Sequence, residues 1–277
     1  MDSIGTQLEH SGWRQGSIVE QADVQHLLGN TTINYDDGII LIVASQSCDI
    51  ANNTIESDPF VEFSLAHRIE ALSGHLTFNK NPRTLHTQIH TRTEDEQILA
   101  HELIELRAFE KILVPKEQLL DLLPDPNRTF EESLLVNYVA WLSARYSRPA
   151  LPTSFNDRIR SADPKGKLRD KAKKASHELA GIYVEIIPNT EIADDESYSA
   201  NLLGLLPGGH TGSAEKAKNA IDAYADVLRN AGMEVSSAVR TEDDISVALL
   251  RRFKRIYFDD LSYRDDSTLP IEATAII

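Results

Sequence analysis

Two prolines with one residue between them, Pro124 and Pro126, divide this chain of 277 residues near its middle. Proline lacks a backbone N–H and fixes its own φ angle, so a pair at this spacing resists both a helix and a strand ladder. Short strand patterns precede the prolines, and alternating helix and strand patterns follow them. We therefore predict an α+β fold with two domains, 1–123 and 124–277.

Apolar runs predict several short strands in the first domain. Residues 39–44 are apolar at every position, which is typical of a strand covered on both faces. Residues 61–69 alternate apolar and polar side chains, as a half-buried strand does. Further strands are predicted at 75–78, 84–93 and 112–114, with a short helix at 116–123. Short strands at close spacing predict a small barrel or a strongly curved sheet.

The second domain has the pattern of a mixed α/β fold. A helix is predicted from Thr129, with Glu132 completing a capping box and with Tyr138 and Trp141 on its apolar stripe. A basic helix is predicted at 167–179, and two more helices at about 213–231 and 241–261. Strands are predicted at 182–187, 202–206 and 233–239. This alternation of elements predicts a sheet of at least three strands covered by helices.

Positive charge is concentrated in one segment of an acidic chain. The chain has 28 Lys and Arg against 43 Asp and Glu, a net charge of −15, which argues against broad non-specific nucleic-acid binding. Eight basic residues nonetheless lie close together: Arg158, Arg160, Lys165, Lys167, Arg169, Lys171, Lys173 and Lys174. They form either a solvated helix face or a docking face for a nucleic acid or an acidic protein.

Cysteine usage and targeting signals narrow the class of protein. A single cysteine, Cys48, excludes a disulfide framework and any multi-thiolate metal site. The first ten residues contain neither a basic nor an apolar segment, so no signal peptide is predicted. The longest aliphatic run is too short to cross a bilayer. We expect a cytoplasmic protein that does not enter a membrane, and the pattern leaves its oligomeric state open.

The main candidate for chemistry follows the most apolar strand directly. Residues 45–53 place polar and thiol side chains where that strand leaves the core, a common position for functional sites. Cys48 is a candidate nucleophile, and Asp49 could orient a base or bind a metal. The alternative is that Cys48 fills space in the core and Asp49 caps a turn.

A second group of polar residues lies on the predicted strand 84–93. His86 and His90 share one face but stand about 13 Å apart on a strand, too far for one metal ion. With Arg83 just before them they form either a polar ridge suited to a phosphate or an ordinary solvated sheet face. His67 shares its face with apolar residues, which predicts either a core histidine with one hydrogen bond or a shielded base.

Two weaker motifs remain open. Gly208-Gly209-His210-Thr211-Gly212-Ser213 precedes a predicted helix and is either an anion-binding loop or a turn with Ser213 as the N-cap. Four acidic residues at the end of the last predicted helix form either a solvated tail or a site for a divalent metal such as Mg²⁺: Asp259, Asp260, Asp265 and Asp266. We predict no other cofactor.

The order of residues near the N-terminus resembles a known family. Trp13 is followed by Gly16-Ser17-Ile18-Val19, and Gly38 by the apolar run that leads into Ser45-Gln46. Over residues 12–55 this resembles the opening of PemK/MazF-type toxin barrels, small SH3-like folds of endoribonucleases in toxin–antitoxin systems. That family usually has an acidic residue where Ser17 stands, and an Arg-Pro pair where this chain has only Gly38. Because that arginine belongs to the family's catalytic set, the resemblance implies the barrel without its ribonuclease chemistry.

Three hypotheses about function follow. The first is an intracellular, prokaryotic-type interaction module of a toxin-like or defence system, which docks a protein or a nucleic acid on the basic helix. The second is a nuclease-like hydrolase in which Cys48 or Asp49 supplies the nucleophile or a metal ligand. There His86 acts as general acid or base and Arg83 stabilises charge. The third is a small-molecule binder that uses the 208–213 loop.

Overall fold

A computed structural model describes residues 3–29, 38–92, 98–147, 151–210 and 214–257 of the chain. The fold is mixed α+β, as predicted, and its first sheet is a curled half-barrel of five antiparallel strands. Contacts between Cα atoms divide the chain into two compact units. The first contains Met1–Leu72 and Arg83–Arg145, and the second contains Ser73–Pro82 and Tyr146–Ile277. This division differs from the predicted one, but compact contact units are not by themselves independent domains, so the predicted domains stay a prediction.

The first unit is built on a sheet with the strand order β1-β2-β4-β3-β5. Its strands are β1 Ile40–Val43, β2 Phe60–Arg68, β3 Thr84–Arg92, β4 Ile98–Pro115 and β5 Arg128–Thr129. Its helices are α1 Ile4–His10, α2 Gln21–Leu28, α3 Ser47–Ala51 and α4 Glu132–Ser147. Every strand pair in this sheet is antiparallel.

Both faces of β1 are buried against other elements. On one face Ile40 and Ile42 belong to the same core as Tyr138 and Trp141 of α4. On the other face Leu41 and Val43 share a core with residues of α1 and α2. A strand with a core on each side has no solvated face, which explains why residues 39–44 are apolar throughout. The predicted strand at this position is confirmed.

The second unit contains a sheet with the strand order β8-β7-β6-β9. Its strands are β6 Gly181–Ile187, β7 Ser199–Leu206, β8 Glu234–Thr241 and β9 Lys254–Ile256. Its helices are α5 Thr153–Ala162, α6 Lys167–Ala175, α7 Ala214–Asn230 and α8 Val247–Leu250. β7 and β8 are parallel and α7 connects them, whereas the other pairs are antiparallel. Residues of α5, α6 and α7 form one core with β6 and β7.

The segment Ser73–Pro82 belongs to the second unit although both of its neighbours along the chain belong to the first. The side chain of Lys80 is fully buried, and its Nζ donates hydrogen bonds to the carbonyls of Ser176 and Leu179 at 2.9 and 2.8 Å. Burial and the nearby Arg255 lower the pKa of Lys80 to about 7. A Cβ at Gly74 would lie 2.4 Å from the ring of His177, so only glycine allows this approach.

Two predictions around this segment and the proline pair are wrong. The predicted strand at 75–78 consists of turns, because these residues pack on the second unit instead of joining the sheet. The predicted cap at Thr129 fails because Thr129 is in β5 and pairs with His90. The helix after it therefore begins at Glu132.

Helix predictions at two other places are also wrong. The helix at 116–123 is reduced to a 3₁₀ turn at Lys116–Leu119. The helix at 241–261 is replaced by the short α8 and by β9, which pairs with β6, so the sheet takes up residues that have an apolar helical spacing. Residues 258–261 lie outside the described residues. Within the described part of the chain, no helix is long and apolar enough to cross a membrane.

Candidate functional site

The predicted loop 45–53 is largely the short helix α3, which follows β1 directly. Cys48 and Asp49 are both exposed, so the alternative in which Cys48 fills the core is wrong. The thiol of Cys48 lies 3.4 Å from Oδ1 of Asp49 and 3.5 Å from Oε1 of Gln46. An exposed thiol beside a carboxylate and an amide is accessible to a substrate, and its role as a nucleophile stays a prediction.

A buried lysine fixes the position of α3. Nζ of Lys116 donates to the carbonyls of Asp49 and Asn52 at 2.6 and 2.9 Å. Burial lowers the pKa of Lys116, and the nearby carboxylates of Asp58 and Asp49 oppose this effect. The sequence did not suggest Lys116 as part of this site, because its contribution depends on a packing partner more than 60 residues away.

The structure separates this helix from the other predicted catalytic residues within the first sheet. β1, which leads into α3, is three strand spacings from β3 in the order β1-β2-β4-β3, about 14 Å along the sheet. His86 lies on β3, and the exposed Arg83 immediately precedes it. The polar contacts of Cys48 within the described chain are with Gln46 and Asp49. A joint site of Cys48, Asp49, Arg83 and His86 therefore stays a prediction.

His86 instead belongs to a chain of five hydrogen-bonded side chains, which we call the histidine–glutamate network. Nε2 of His86 lies 2.9 Å from Oε2 of Glu105, and Nε of Arg107 donates to Oε1 of the same carboxylate at 2.8 Å. Nη1 of Arg107 lies 3.4 Å from Oε1 of Glu110. Oε2 of Glu110 lies 2.7 Å from Nε2 of His67. Each histidine thus has its own glutamate, and Arg107 joins the two pairs.

Strand register brings these residues together. Glu105 of β4 lies opposite His67 of β2 and opposite His86 of β3, so the three form one row across the sheet. A register shift between Ser64 and Ala66 leaves residues 107–110 of β4 opposite a single residue of β2. Such a bulge redirects side chains locally, and it places Arg107 and Glu110 beside the row.

The network has one buried and one open end. The side chain of His86 is 9% exposed, whereas those of His67 and Arg107 are 26% and 43% exposed. Burial raises the pKa of Glu105, but hydrogen bonds from His86 and Arg107 outweigh this and hold it below its ordinary value. Imidazoles oriented by carboxylates suit proton transfer, and an accessible guanidinium suits a phosphate or a carboxylate. The predicted core position of His67 is wrong, because this side chain is half-buried, whereas the predicted hydrogen bond is present and is made with Glu110.

His90 shares the sheet face of His86 but lies outside the network. Its ring packs edge-on against the ring of His101, with 4.5 Å between the centroids. Burial and the neighbouring His101 lower the pKa of His90, and its Nδ1 is buried without a hydrogen-bond partner. In the described ranges no group of three or more His, Cys, Asp or Glu side chains is arranged to bind a metal. The acidic group at 259–266 lies outside the described residues.

The eight basic residues of the second unit divide into two sets. Arg158 donates to the carbonyls of Ala193 and Glu196, Arg160 pairs with Asp157, and Arg169 is buried against Asp163. The side chains of five lysines have no ion pair or hydrogen bond within the described chain: Lys165, Lys167, Lys171, Lys173 and Lys174. All of these lysines are exposed except Lys173, which is half-buried.

The glycine-rich loop already has anionic partners within the chain. The backbone N–H of Gly208 donates to Glu242 at 3.1 Å, and that of Gly209 donates to Asp243 at 2.8 Å. These amides are therefore occupied by carboxylates, which disfavours the small-molecule hypothesis. Residues 211–213 lie outside the described residues.

Sequence reasoning missed three members of the network: Glu105, Arg107 and Glu110. Their signal depends on the pairing of β2, β3 and β4, and residues 98–111 were not predicted as a strand. Comparisons with known proteins add no further assignment. No protein-family model matches the chain, and neither curated proteins nor solved structures give a significant match.

Proposed function

We propose that this chain is an interaction module that binds an anionic macromolecule through the basic face of α6 and the turn before it. The observation that carries the proposal is the set of five lysines at 165–174 without a carboxylate partner in the described chain. A nucleic acid and an acidic protein surface both fit this charge. A prokaryotic toxin-like or defence context and a cytoplasmic location are part of the proposal. The context is supported by the resemblance of residues 12–55 alone.

The charge of α6 contrasts with the rest of the molecule. The helix sequence KLRDKAKKA contains one acidic residue, Asp170, in a chain whose net charge is −15. Like charges three and four residues apart on a helix repel, so this arrangement does not stabilise the isolated helix. Binding of a polyanion would offset that repulsion and release counterions.

The spacing of the lysines suits an extended anionic partner. Lys167, Lys171 and Lys174 recur at intervals of four and three residues, which places them on one side of α6. They span roughly 10 Å along the helix axis at 1.5 Å per residue. That length covers a few phosphates of a nucleic-acid backbone or a few side chains of an acidic segment.

Charge reversal on α6 tests this proposal. In the variant Lys167→Glu/Lys171→Glu/Lys174→Glu we expect affinity for labelled RNA, DNA or polyglutamate to fall at least about tenfold in fluorescence anisotropy. The variant with Arg at the same three positions keeps the charge and should bind like the wild type. If these three lysines each neutralise one phosphate of a single-stranded nucleic acid, the logarithm of the wild-type binding constant should fall with the logarithm of the salt concentration. The slope of that plot should be about −2. Wild-type protein that binds none of these probes would contradict the proposal.

The histidine–glutamate network favours a second candidate function, a nuclease-like hydrolase. His67 and His86 lie two strand spacings apart, about 10 Å between their backbones, with Arg107 bonded between their glutamates. In RNA cleavage one imidazole would accept the proton of a 2′-hydroxyl as its oxygen bonds to phosphorus. The other would protonate the departing 5′-oxygen as the P–O bond breaks, leaving a 2′,3′-cyclic phosphate. Arg107 would stabilise the charge on the phosphate oxygens.

Histidine variants test the hydrolase. Cleavage of a labelled RNA should persist in EDTA, because the proposed chemistry uses no metal, and DNA should not be cleaved. His67→Gln and His86→Gln should each lower the rate about 100-fold or more, whereas the control His101→Gln, on the same sheet face, should not. If all three variants keep the activity of the wild type, the activity does not come from this network.

A further inference from the structure

β8 is the last strand of the second sheet, and its outer edge is regular. It is parallel to β7 in an uninterrupted register of eight residue pairs, from Glu234 to Thr241. Among the described residues no strand pairs with the other edge of β8. An edge of this kind presents a row of unpaired backbone groups to any chain that can pair with it.

The hydrogen bonds to β7 show which backbone groups face outward. The N–H of Glu234 donates to the carbonyl of Tyr198 at 3.1 Å, so Glu234 and every second residue after it are bonded to β7. The alternate residues, Val235, Ser237 and Val239, therefore direct their N–H and C=O groups away from the sheet. Five of these six groups are the free donors and acceptors of an incomplete ladder within the described residues. The sixth, the carbonyl of Val239, accepts from Nη1 of its neighbour Arg240 at 3.0 Å, so this guanidinium has to leave it when a second strand pairs.

β8 lacks the features that usually protect an edge strand. Its sequence EVSSAVRT contains no proline and no lysine, and its register with β7 has no bulge. The five residues between Glu234 and Arg240 are all uncharged. The charged side chains at the two ends have opposite signs.

We propose that β8 pairs antiparallel with β8 of a second copy of the chain, with Ser237 opposite its own counterpart on a two-fold axis. In this register Val235 faces Val239 of the partner copy, and Glu234 faces its Arg240, each twice by symmetry. The outward groups of Val235, Ser237 and Val239 meet directly, so both strands complete their hydrogen bonds. The two four-stranded sheets then form one sheet of eight strands.

The charges and side-chain directions of β8 favour this register over registers in which the two strands are shifted along each other. Residues opposite each other in an antiparallel pair point to the same face, so the helix-covered faces of both sheets stay on one side. Shifting the register by two residues keeps the backbone pairing but separates Glu234 from Arg240. Shifts that place Glu234 opposite Glu234, or Arg240 opposite Arg240, bring like charges together and shorten the overlap.

An open groove beside this edge adds apolar surface to the interface. A cavity of about 350 Å³ lies between α7 and β8, with Ala214, Ile221, Ala238 and Val239 among its lining residues. Val235 and Val239 point to the face that packs on the helices, where both join the edge of the apolar core. A second copy would extend this apolar face across the two-fold axis.

Sedimentation velocity on the full chain tests the dimer with a charge swap. We expect the wild type to sediment as a dimer at about 50 μM, in the affinity range of small polar interfaces. Glu234→Arg and Arg240→Glu should each raise the dissociation constant at least about tenfold, because each places like charges opposite one another. The double variant restores opposite charges and should recover the dimer. Arg251→Glu, an exposed charge change away from the edge, should leave the dimer intact.

A proline variant separates pairing from folding. The N–H of Ser237 faces outward, so Ser237→Pro removes a donor of the interface and none of the bonds to β7. Within the chain it removes one exposed hydrogen bond, from the hydroxyl to Oδ1 of Asp222 at 3.3 Å. We expect a monomer with an unchanged circular dichroism spectrum. A wild-type monomer, a dimer that persists in Ser237→Pro, or a double charge variant that stays monomeric would each overturn the proposal.

Discussion

Lys80 and Lys116 are both fully buried, and each donates to two backbone carbonyls at the end of a short helical segment. The last carbonyls of a helix have no intrahelical N–H partner, and burial without a donor costs free energy. A lysine ammonium has three N–H groups on a long stem, so it can reach and satisfy such carbonyls from another element. The same device thus fixes α3 in the first unit and the end of α6 in the second.

Lys80 makes the stability of the second unit depend on pH. Its folded-state pKa of about 7 lies below its ordinary value of 10.5, so between these values the unfolded chain binds more protons. The free energy of unfolding should therefore rise with pH across this window. We expect the gain to be on the order of 2 kcal/mol between about pH 7.5 and about pH 9.5.

Lys80→Met removes this contribution along with the two hydrogen bonds. The free energy of unfolding of this variant should not rise with pH across the window. Urea unfolding should be followed by circular dichroism and not by tryptophan fluorescence, because both tryptophans lie in the first unit. Lys171→Met, at an exposed site, serves as the control and should keep the gain. An equal gain in Lys80→Met would show that another group titrates.

Glu105 has the opposite pH dependence. Hydrogen bonds from His86 and Arg107 hold its pKa below the ordinary value despite burial, so its contribution is present at neutral pH and is lost as pH falls through the folded-state pKa. Glu105→Gln should cost about 1.5–3 kcal/mol at pH 7, the range for hydrogen bonds to charged groups. The difference from the wild type should shrink below about pH 4. Tryptophan fluorescence in urea measures both values, and a difference that is constant with pH would contradict the assignment.

At the scale of elements, the sequence predicted the strands whose apolar side chains follow a regular local pattern. The strands near 39–44, 61–69 and 84–93 are confirmed as β1, β2 and β3, because each buries a regular side of the sheet. Most of β4 was missed, because Glu105, Arg107 and Glu110 interrupt its apolar pattern. Those charges are tolerated through partners on other strands or beyond the bulge, and a single sequence does not show such partners. The same long-range pairing hid most of the histidine–glutamate network.

The contact between α1 and α3 depends on a glycine. A Cβ at Gly5 would lie 2.3 Å from the carbonyl oxygen of Ala51, and backbone atoms at that position cannot move aside as a side chain would. Gly5→Ala should therefore destabilise the first unit by about 1–3 kcal/mol. Gly29→Ala is the matched control, because Gly29 has a helical φ of −58° and its nearest contact is 3.3 Å. Thermal unfolding monitored by tryptophan fluorescence compares the two, and equal melting temperatures would contradict the close packing.

At the scale of the molecule, the two units are interleaved along the chain. A fragment of residues 146–277 lacks Ser73–Pro82. It therefore lacks the ammonium of Lys80, which donates hydrogen bonds to the carbonyls of Ser176 and Leu179. We expect this fragment to lose cooperative thermal unfolding, since buried carbonyls without donors cost about 1–3 kcal/mol each.

A synthetic peptide supplies the control for the fragment. A peptide of residues 70–85 should restore the cooperative transition in circular dichroism, and the same peptide with Lys80→Met should not. A fragment that melts cooperatively without any peptide would show that the segment is dispensable.

The insertion of Ser73–Pro82 also has a consequence for synthesis of the protein. Lys80 leaves the ribosome long before its partners, which lie 96 and 99 residues further along the chain. At about 5–20 residues per second this is a delay of roughly 5–20 s, in which the segment is available for non-native contacts. The ammonium of Lys80 can be buried only after Ser176 and Leu179 have emerged. Because burial lowers its pKa to about 7, a fraction of the Lys80 side chains then release a proton near neutral pH. Completion of the second unit is thereby tied to a residue made 96 residues before the first of its partners.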